Sequence, residues 1–195
     1  HAAEIRRRLL MALEQAEQTT NTKEREFLQT VVIVGGGPAG CELAGAVSEL
    51  MRNAMAKDFK QVDISRTRIV LVDPGDRVLR AMDPLLSEAA GKHLKAVGVE
   101  FLFQGRVQSI VPGEVLVGTP NGDVRIKAAN VFWTAGVRAS HLGKTLAAST
   151  GCEVDRGGRV VVDADFSIPN HPEIRVVGDL CSYSHTNDGK PLPGM

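Results

Sequence analysis

The stretch VVIVGGGPAG, residues 31–40, decides the fold, because a run of apolar β-formers is followed at once by a run of glycines. Residues 31–34 are typical of a short buried strand at the centre of a parallel sheet. From position 38 to about 56, apolar side chains recur at steps of three to four, which predicts a helix. The quoted stretch is therefore a turn from a strand into a helix.

The glycines in this turn have the spacing G-x-G-x-x-G. Gly35 permits a turn too tight for a Cβ atom, Gly37 lets the backbone approach a diphosphate, and Gly40 lets the helix press on the strand. Pro38 suits the first helical turn because it has no N–H group to leave unsatisfied. Free N–H groups and the positive helix end attract the diphosphate of a dinucleotide. The predicted cofactor loop comprises Gly35, Gly36, Gly37, Pro38, Ala39 and Gly40.

The segments around this loop predict an α/β fold: a Rossmann-like parallel sheet with a small antiparallel β-meander. An amphipathic helix comes first, and the polar residues 18–26 after it read as a connector. Further buried strands, helices and a hairpin follow along the chain. The predicted elements are strands at 68–73, 99–103, 130–136 and 174–179, helices at 84–97 and 141–149, a meander over 106–127 and a hairpin over 152–163.

Asp73 stands at the end of the second predicted strand. A carboxylate at this point can accept both ribose hydroxyls of an adenosine, and it repels the extra phosphate of NADP. This predicts that NAD(H) is preferred over NADP(H). Asp73 could instead simply begin the turn at Pro74. Arg77 could contact a 2′-phosphate or pair with Asp76.

Composition excludes several classes of function. The 195 residues include 23 Lys and Arg against 23 Asp and Glu, so nothing points to nucleic acid or to an anionic membrane. The run at residues 6–8 of three arginines has acids close by, which favours a solvated helix face over a lipid or nucleic-acid contact. The three cysteines have no paired spacing, which argues against a metal site and a redox disulfide and fits a cytoplasmic location. No apolar run approaches the roughly 20 residues of a membrane span.

Five segments together resemble the type II NADH dehydrogenases, flavoproteins of the pyridine nucleotide-disulfide oxidoreductase superfamily. They are GGGPAGCELAG, LVDPGDRVL, FWTAGVRAS, VVGDLCSY and DGKPLPG. The resemblance implies an FAD domain and an NADH domain, with the second inserted into the first. In the family a whole NADH domain lies between the first FAD fingerprint and the returning FAD motif. If Gly35 belonged to the first FAD fingerprint, the separation from Gly178 would leave no room for that domain. The resemblance therefore implies that the glycine loop is the NADH fingerprint and that Gly178-Asp179 is the returning FAD motif.

The same resemblance implies roles for further residues. Asp179 would bind the flavin ribityl chain, and Glu42 would lie near the nicotinamide and flavin rings. An acid near a helix start is also favourable through the dipole alone, which leaves a structural reading of Glu42 open. Ala135 and Gly136 would form a small-residue ledge under the cofactor. Cys41 could be an activated thiol or a small packing residue, and Leu192 and Gly194 resemble the start of a flavin-contacting segment.

The resemblance implies three segments and one reaction. Residues 1–28 form an N-terminal helix and connector, 29–145 the NADH-binding domain and 146–195 a partial FAD-binding segment. NADH passes hydride to FAD, and the electrons pass to a quinone, with no side chain acting as acid, base or nucleophile. The parent, the longer protein of which this chain is expected to be a piece, is expected to be a homodimer, peripheral on the cytoplasmic face of the membrane.

The chain starts within a helical pattern and stops at PLPGM, so we expect a piece of a longer protein that is inactive alone because half of the FAD site is missing. Two alternatives stay open. One is another flavoprotein reductase, of the ferredoxin or rubredoxin reductase type. The other is an NAD(H)-sensing module without electron transfer.

Overall fold

The structure is a computed structural model that describes residues 2–55, 59–136, 138–186, 189 and 192. The described residues fall into two compact units, which divide between Ala135 and Gly136. The sequence places its boundaries after residues 28 and 145 instead. The assignment of those segments to cofactor domains stays a prediction.

The part of the first unit that the structure describes contains seven strands in two sheets. They are β1 Thr30–Val34, β2 Arg68–Asp73, β3 Val99–Phe103, β4 Arg106–Val111, β5 Glu114–Thr119, β6 Gly122–Lys127 and β7 Asn130–Trp133. The main sheet has the order β3-β2-β1-β7, and each neighbouring pair is parallel. Strands β4, β5 and β6 form the predicted antiparallel meander. The expected Rossmann-like α/β architecture with a meander is confirmed.

Side chains along β1 point alternately to the two faces of the main sheet, and both faces are covered. Val31 and Ile33 belong to a core that the helices complete, whereas Val32 and Val34 pack with the meander. Every residue of β1 is buried. A strand buried on both faces has to be apolar throughout, which is the pattern that residues 31–34 present in the sequence.

The described residues of this unit form four α-helices: α1 Ala2–Gln18, α2 Thr22–Leu28, α3 Pro38–Glu49 and α4 Pro84–Ala96. The expected connector at 18–26 is wrong, because most of it is α2. Asn21 caps this helix by accepting hydrogen bonds from the N–H groups of Lys23 and Glu24. The helix is polar on most sides, so it lacks the apolar periodicity by which longer helices are recognised.

The helix predicted from position 38 to about 56 is shorter than expected. α3 ends at Glu49, and a π-helical turn, Leu50–Met55, follows it; Ala56 lies outside the described residues. The chain after the gap is held by Glu17, whose carboxylate accepts hydrogen bonds at 2.9–3.0 Å from the N–H groups of Lys60, Gln61 and Val62.

The second unit has short elements: α5 Leu142–Thr150, β8 Val160–Val161, β9 Ser167–Ile168, β10 His171–Arg175 and β11 Cys181–Ser182. The predicted hairpin at 152–163 is reduced to an antiparallel bridge between Val154 and Val160. The buried strand predicted at 174–179 is wrong. β10 ends at Arg175, Val177 is 69% exposed, and Gly178 begins a 3-10 turn with φ +71°.

Candidate cofactor-binding site

Gly35 makes the turn out of β1. Its φ is +113°, a left-handed conformation that favours glycine, and its N–H donates to the Val72 carbonyl at 2.8 Å. A Cβ atom here would lie 2.9 Å from the backbone nitrogen of Ala135, which is closer than side chains come to backbone. Both conformation and space therefore require glycine at this position, as the fingerprint predicts.

Gly40 brings α3 against the ends of β1 and β7. A Cβ atom at Gly40 would overlap the Gly35 carbonyl oxygen and lie 2.8 Å from Thr134 Oγ1. Thr134 Oγ1 also donates to the Val34 carbonyl at 2.8 Å, so it joins the two strand ends. The close helix–strand approach expected of Gly40 is present, and Thr134 is a supporting residue that the sequence interpretation missed.

Gly37 has open space where a side chain would stand: no atom lies within 4 Å of a Cβ built on it. It is the N-cap of α3, with Pro38 as the first helical residue. Within the described part of the chain, the N–H groups of Gly37, Ala39 and Gly40 have no hydrogen-bond acceptor. A helix N-terminus with unpaired N–H groups and room above its backbone attracts an anionic group.

The carboxylate of Asp73 is held against this loop. Its Oδ2 accepts a hydrogen bond from the Gly36 N–H at 2.7 Å, and its Oδ1 accepts one from the Gly75 N–H at 2.7 Å. The residue is 7% exposed. Asp73 thus fixes the loop, and the Gly36 N–H is not available to a phosphate. Its predicted role as a ribose ligand stays a prediction.

A second turn, which follows β2, also holds Gly36. Leu79 donates its N–H to the Gly36 carbonyl at 2.7 Å, and it has φ +50° although it is not glycine. Arg80, which comes next, places Nε 3.7 Å from Asp73 Oδ1. The sequence analysis assigns no role to Leu79 or Arg80. The two arginines in the turn after Asp73, Arg77 and Arg80, were the available signal for Arg80.

Arg77 does not pair with Asp76, the structural alternative in the sequence interpretation. Among the described residues Arg77 forms no ion pair within 4 Å, and its Nε is buried without a hydrogen-bond partner. The turn after β2 therefore carries two arginine side chains whose donors are incompletely satisfied by the described protein atoms.

Cys41 is a packing residue. Burial, reinforced by the charges of Asp73 and Glu42, raises the pKa of the Cys41 thiol to about 11. An activated thiol has a lowered pKa and an accessible sulfur atom. Cys41 is instead buried in the apolar core, which supports the packing alternative. Glu42 itself is exposed. It lies near the start of α3, as the sequence predicts, but after the first helical turn.

Ala135 and Gly136 follow β7. The Trp133 Nε1 donates to the Ala135 carbonyl at 2.7 Å, which fixes the strand end, and no atom lies within 4 Å of a Cβ built on Gly136. Both positions are small enough for the expected ledge beside a ligand. Their cofactor role stays a prediction.

The second unit carries the remaining predicted site residues. Gly178 and Asp179 are exposed on the 3-10 turn Gly178–Leu180, and Gly178 has open space where a Cβ would stand. The Leu192 N–H donates to the Tyr183 carbonyl at 2.9 Å. Gly194 lies outside the described residues. The role of Gly178 and Asp179 in binding FAD stays a prediction.

Two kinds of feature are absent from the described residues. No helix there combines the length and apolarity of a membrane span. The same residues contain no cluster of three or more His, Cys, Asp and Glu side chains that could hold a metal ion.

The known relatives of this chain are longer proteins, and the chain matches only part of each. The type II NADH:quinone oxidoreductase Ndh of Mycobacterium tuberculosis is 38% identical over 93% of this chain, a match that covers 39% of that protein. The type II enzyme NdhA of the same organism is 40% identical over 92% of this chain and 38% of its own length. The chain therefore spans about two fifths of these relatives.

Solved structures share the fold. NDH2 of Plasmodium falciparum, solved with NADH, matches 94% of this chain and 38% of its own with a TM-score of 0.79 at 18% identity. A ferredoxin reductase of Rhodopseudomonas palustris matches 84% of this chain and 36% of its own with a TM-score of 0.61, also at 18% identity. The pyridine nucleotide-disulphide oxidoreductase family matches residues 3–191. Since that match spans nearly the whole sequence, the chain belongs to the pyridine nucleotide-disulphide oxidoreductase family.

Proposed function

We propose that this chain is the NAD(H)-binding part of an FAD-dependent NADH dehydrogenase that passes hydride from NADH to flavin and electrons on to a quinone. One observation carries the proposal: the open backbone at Gly37 beside the unpaired N–H groups of Ala39 and Gly40. The names of the two mycobacterial relatives, both NADH:quinone oxidoreductases, support it.

In this proposal the main chain binds the diphosphate of NADH. The unpaired N–H groups donate to its oxygens, and the positive end of α3 favours its charge. Gly36 is not one of the donors, because Asp73 already accepts its hydrogen bond. The Asp73 carboxylate leaves a negative charge near the adenosine ribose, which favours NADH over NADPH.

No side chain of the chain is assigned acid, base or nucleophile chemistry. Bound flavin supplies the hydride-accepting and electron-passing chemistry, and the protein contributes binding and orientation. We assign Ala135 and Gly136 to the ledge under the cofactor because both residues are small. Ala135 lies against Gly35, and Glu42 lies on the exposed face of α3 near its start. Productive transfer requires the reacting atoms to be brought to roughly 3–3.5 Å.

For flavin, we assign Gly178 and Asp179 to the FAD site. The exposed Asp179 carboxylate would accept hydrogen bonds from ribityl hydroxyls, and the bare Gly178 backbone permits close approach. We extend the proposal to a parent protein that is a homodimer, peripheral on the cytoplasmic face of the membrane, with a quinone as electron acceptor.

The test is an anaerobic titration of the protein that carries this sequence. NADH is expected to bleach the visible absorbance of bound oxidised flavin, and a soluble quinone is expected to restore it. Bleaching that only a ferredoxin or rubredoxin reverses would favour the reductase alternative. NADH binding to a protein without flavin would favour the sensing module. Absence of NADH binding would contradict the proposal altogether.

A further inference from the structure

A wide cleft lies at the edge of the main sheet where β1 and β2 begin. Its walls come from α2, from the first residues of β1 and β2, and from the start of β5 and the end of β6, and its volume is about 750 Å³. Thr30 and Arg68 are the first residues of β1 and β2. The candidate coenzyme site follows the last residues of the same strands, so roughly 15–17 Å of extended chain separates the two places.

Cationic side chains outnumber acidic side chains in this cleft by five to two. The whole chain has 23 cationic and 23 acidic residues, so the excess is a local property of the cleft. A concave surface lined mainly by one sign of charge focuses the field and concentrates counter-ions. The cations are Lys23, Arg66, Arg68, Arg125 and Lys127, and the acids are Glu26 and Glu114.

The three arginines are oriented by acidic partners without being saturated by them. Each gives one guanidinium nitrogen to a single carboxylate, and among the described residues its other two nitrogens have no acceptor. Each arginine side chain is also at least half exposed. The pairs are Arg66 with Glu26 at 3.3 Å, Arg68 with Glu100 at 2.8 Å and Arg125 with Glu114 at 2.8 Å.

The two lysines add charge that no acid offsets. Within the part of the chain that the structure describes, neither Lys23 nor Lys127 forms an ion pair. They stand on different walls, Lys23 on α2 and Lys127 at the end of β6. Arginine forks bind phosphate oxygens in pairs and lysine acts as a point charge, so the two residue types together suit a ligand with several phosphate groups.

The floor of the cleft is apolar, and its walls are fixed to one another. Ile126 is 3% exposed, and Phe27 packs against the main core. The Ala129 N–H donates to the Phe27 carbonyl at 3.1 Å, and the Arg68 N–H donates to the Gln29 carbonyl at 3.1 Å. Because these bonds join α2 to β2 and to the chain after β6, the cleft is formed before any ligand binds. Small-molecule sites combine this kind of apolar floor with a few polar groups.

We propose that this cleft is a second ligand site, which binds an organic polyphosphate of the nucleoside di- or triphosphate class. The phosphates lie between the arginines and lysines, and the base lies against the apolar floor. A confined, concave cleft on a chain without net charge favours a small soluble anion over an anionic membrane surface. Since the cleft shares no residue with the candidate coenzyme site, the polyphosphate and NADH can be bound together.

The test is an equilibrium titration of the protein that carries this sequence with ATP, inorganic triphosphate and adenosine, each in the presence of excess NADH. ATP and triphosphate are expected to bind, and adenosine is expected to bind at least about tenfold more weakly than ATP. The double variant Lys23→Gln, Lys127→Gln is expected to weaken ATP and triphosphate roughly tenfold or more and to change NADH affinity less than about twofold. Both lysines are exposed, so the variant keeps the fold.

Two controls show whether position and charge matter. Lys95→Gln removes an exposed lysine of α4 that also has no ion pair among the described residues, and ATP affinity should stay within about twofold. Lys127→Arg keeps the cation and should keep the affinity. ATP affinity is expected to fall as ionic strength rises, and less steeply in the double variant.

Three results would overturn the inference. Displacement of ATP by NADH would place the nucleotide in the coenzyme site. Unchanged ATP affinity in the double variant, or adenosine binding as tight as that of ATP, would show that the cations of the cleft do not bind phosphate. Capture of the protein by phosphatidylglycerol vesicles, with no binding of ATP or triphosphate, would assign the cleft to a membrane surface instead.

Discussion

Asp73 Oδ2 accepts a hydrogen bond from the Gly36 N–H at 2.7 Å, which joins the tip of β2 to the glycine loop after β1. The same carboxylate accepts the Gly75 N–H through its other oxygen. One side chain thus fixes the backbone on both sides of the candidate site. From the end of β2, Asp73 therefore stabilises the loop in the absence of any ligand.

Removal of this carboxylate should destabilise the fold. Asp73→Ala leaves two buried N–H groups without acceptors, and the free energy of unfolding is expected to fall by about 2–4 kcal/mol. Urea unfolding measures the change. Asp123→Ala is the control, because that carboxylate is exposed and its loss should cost less than about 0.5 kcal/mol. Equal effects of the two substitutions would show that Asp73 does not brace the loop.

Gly40→Ala should prevent close packing of α3. The added methyl overlaps the Gly35 carbonyl oxygen, which is backbone and cannot move away cheaply. We expect a loss of about 3 kcal/mol in the free energy of unfolding. Gly45→Ala, in the same helix, brings its methyl to an ordinary 3.7 Å from Leu94 and should stabilise by about 1 kcal/mol. A stable Gly40→Ala protein would refute the close approach.

Gly37→Ala should weaken NADH binding while leaving the stability of the fold nearly unchanged. A methyl group here meets no protein atom within 4 Å, so stability should change by less than about 1 kcal/mol. The methyl occupies the space that we assign to the diphosphate, and NADH affinity should fall by roughly tenfold or more. Fluorescence titration with NADH measures the affinity. Unchanged affinity would place the coenzyme elsewhere.

Glu17 should make stability depend on acid pH. Partial burial raises the pKa of Glu17, but hydrogen bonds from the N–H groups of Gln61, Lys60 and Val62, with the charge of Arg25, lower it further, so the pKa ends below its ordinary value of 4.5. A lowered folded-state pKa stabilises above pH 4.5, and the contribution is lost as the pH falls through the folded-state value.

Glu17→Gln should therefore lower the melting temperature at pH 7 and flatten the acid branch of the stability profile. The exposed Glu14→Gln is the matched control from the same helix. Thermal unfolding between pH 7 and pH 3 checks both variants. An acid branch as steep in Glu17→Gln as in the wild type would contradict the role of this carboxylate.

Cys41 should be the slowest of the three thiols to react. Its pKa of about 11 keeps it protonated at pH 8, and it is buried, whereas Cys152 is partly exposed. Alkylation at pH 8 followed by mass spectrometry should label Cys152 first and Cys41 last. The raised pKa also means a stabilising contribution that is complete below pH 9 and lost as the pH rises towards 11. Early labelling of Cys41 would contradict the packing.

The elements that the sequence predicts well are those whose burial imposes a pattern. Strand β1 is buried on both faces and is apolar throughout, and the glycine spacing after it follows from the left-handed φ of Gly35 and the close contact of Gly40. These requirements are local, so they can be read from a few consecutive residues.

The errors concern features that tertiary contacts determine. Helix α2 is fixed by its Asn21 cap and has little apolar surface. Strand β10 ends at Arg175, before the 3-10 turn that begins at Gly178. The positive φ of Leu79, which aims Arg80 at Asp73, has no sequence signal because the residue is not glycine. The interpretation therefore recognised the acid at the tip of β2 but not the arginine beside it, whose Nε lies 3.7 Å from Asp73 Oδ1.

The central claim is that main-chain N–H groups at the start of α3 bind the diphosphate of a nicotinamide coenzyme. A crystal structure grown with NADH tests it most directly. The account predicts diphosphate oxygens within about 3.2 Å of the Gly37 or Ala39 nitrogen, over the open face of Gly37. Electron density for NADH at another place, with these N–H groups bound only to water, would contradict it.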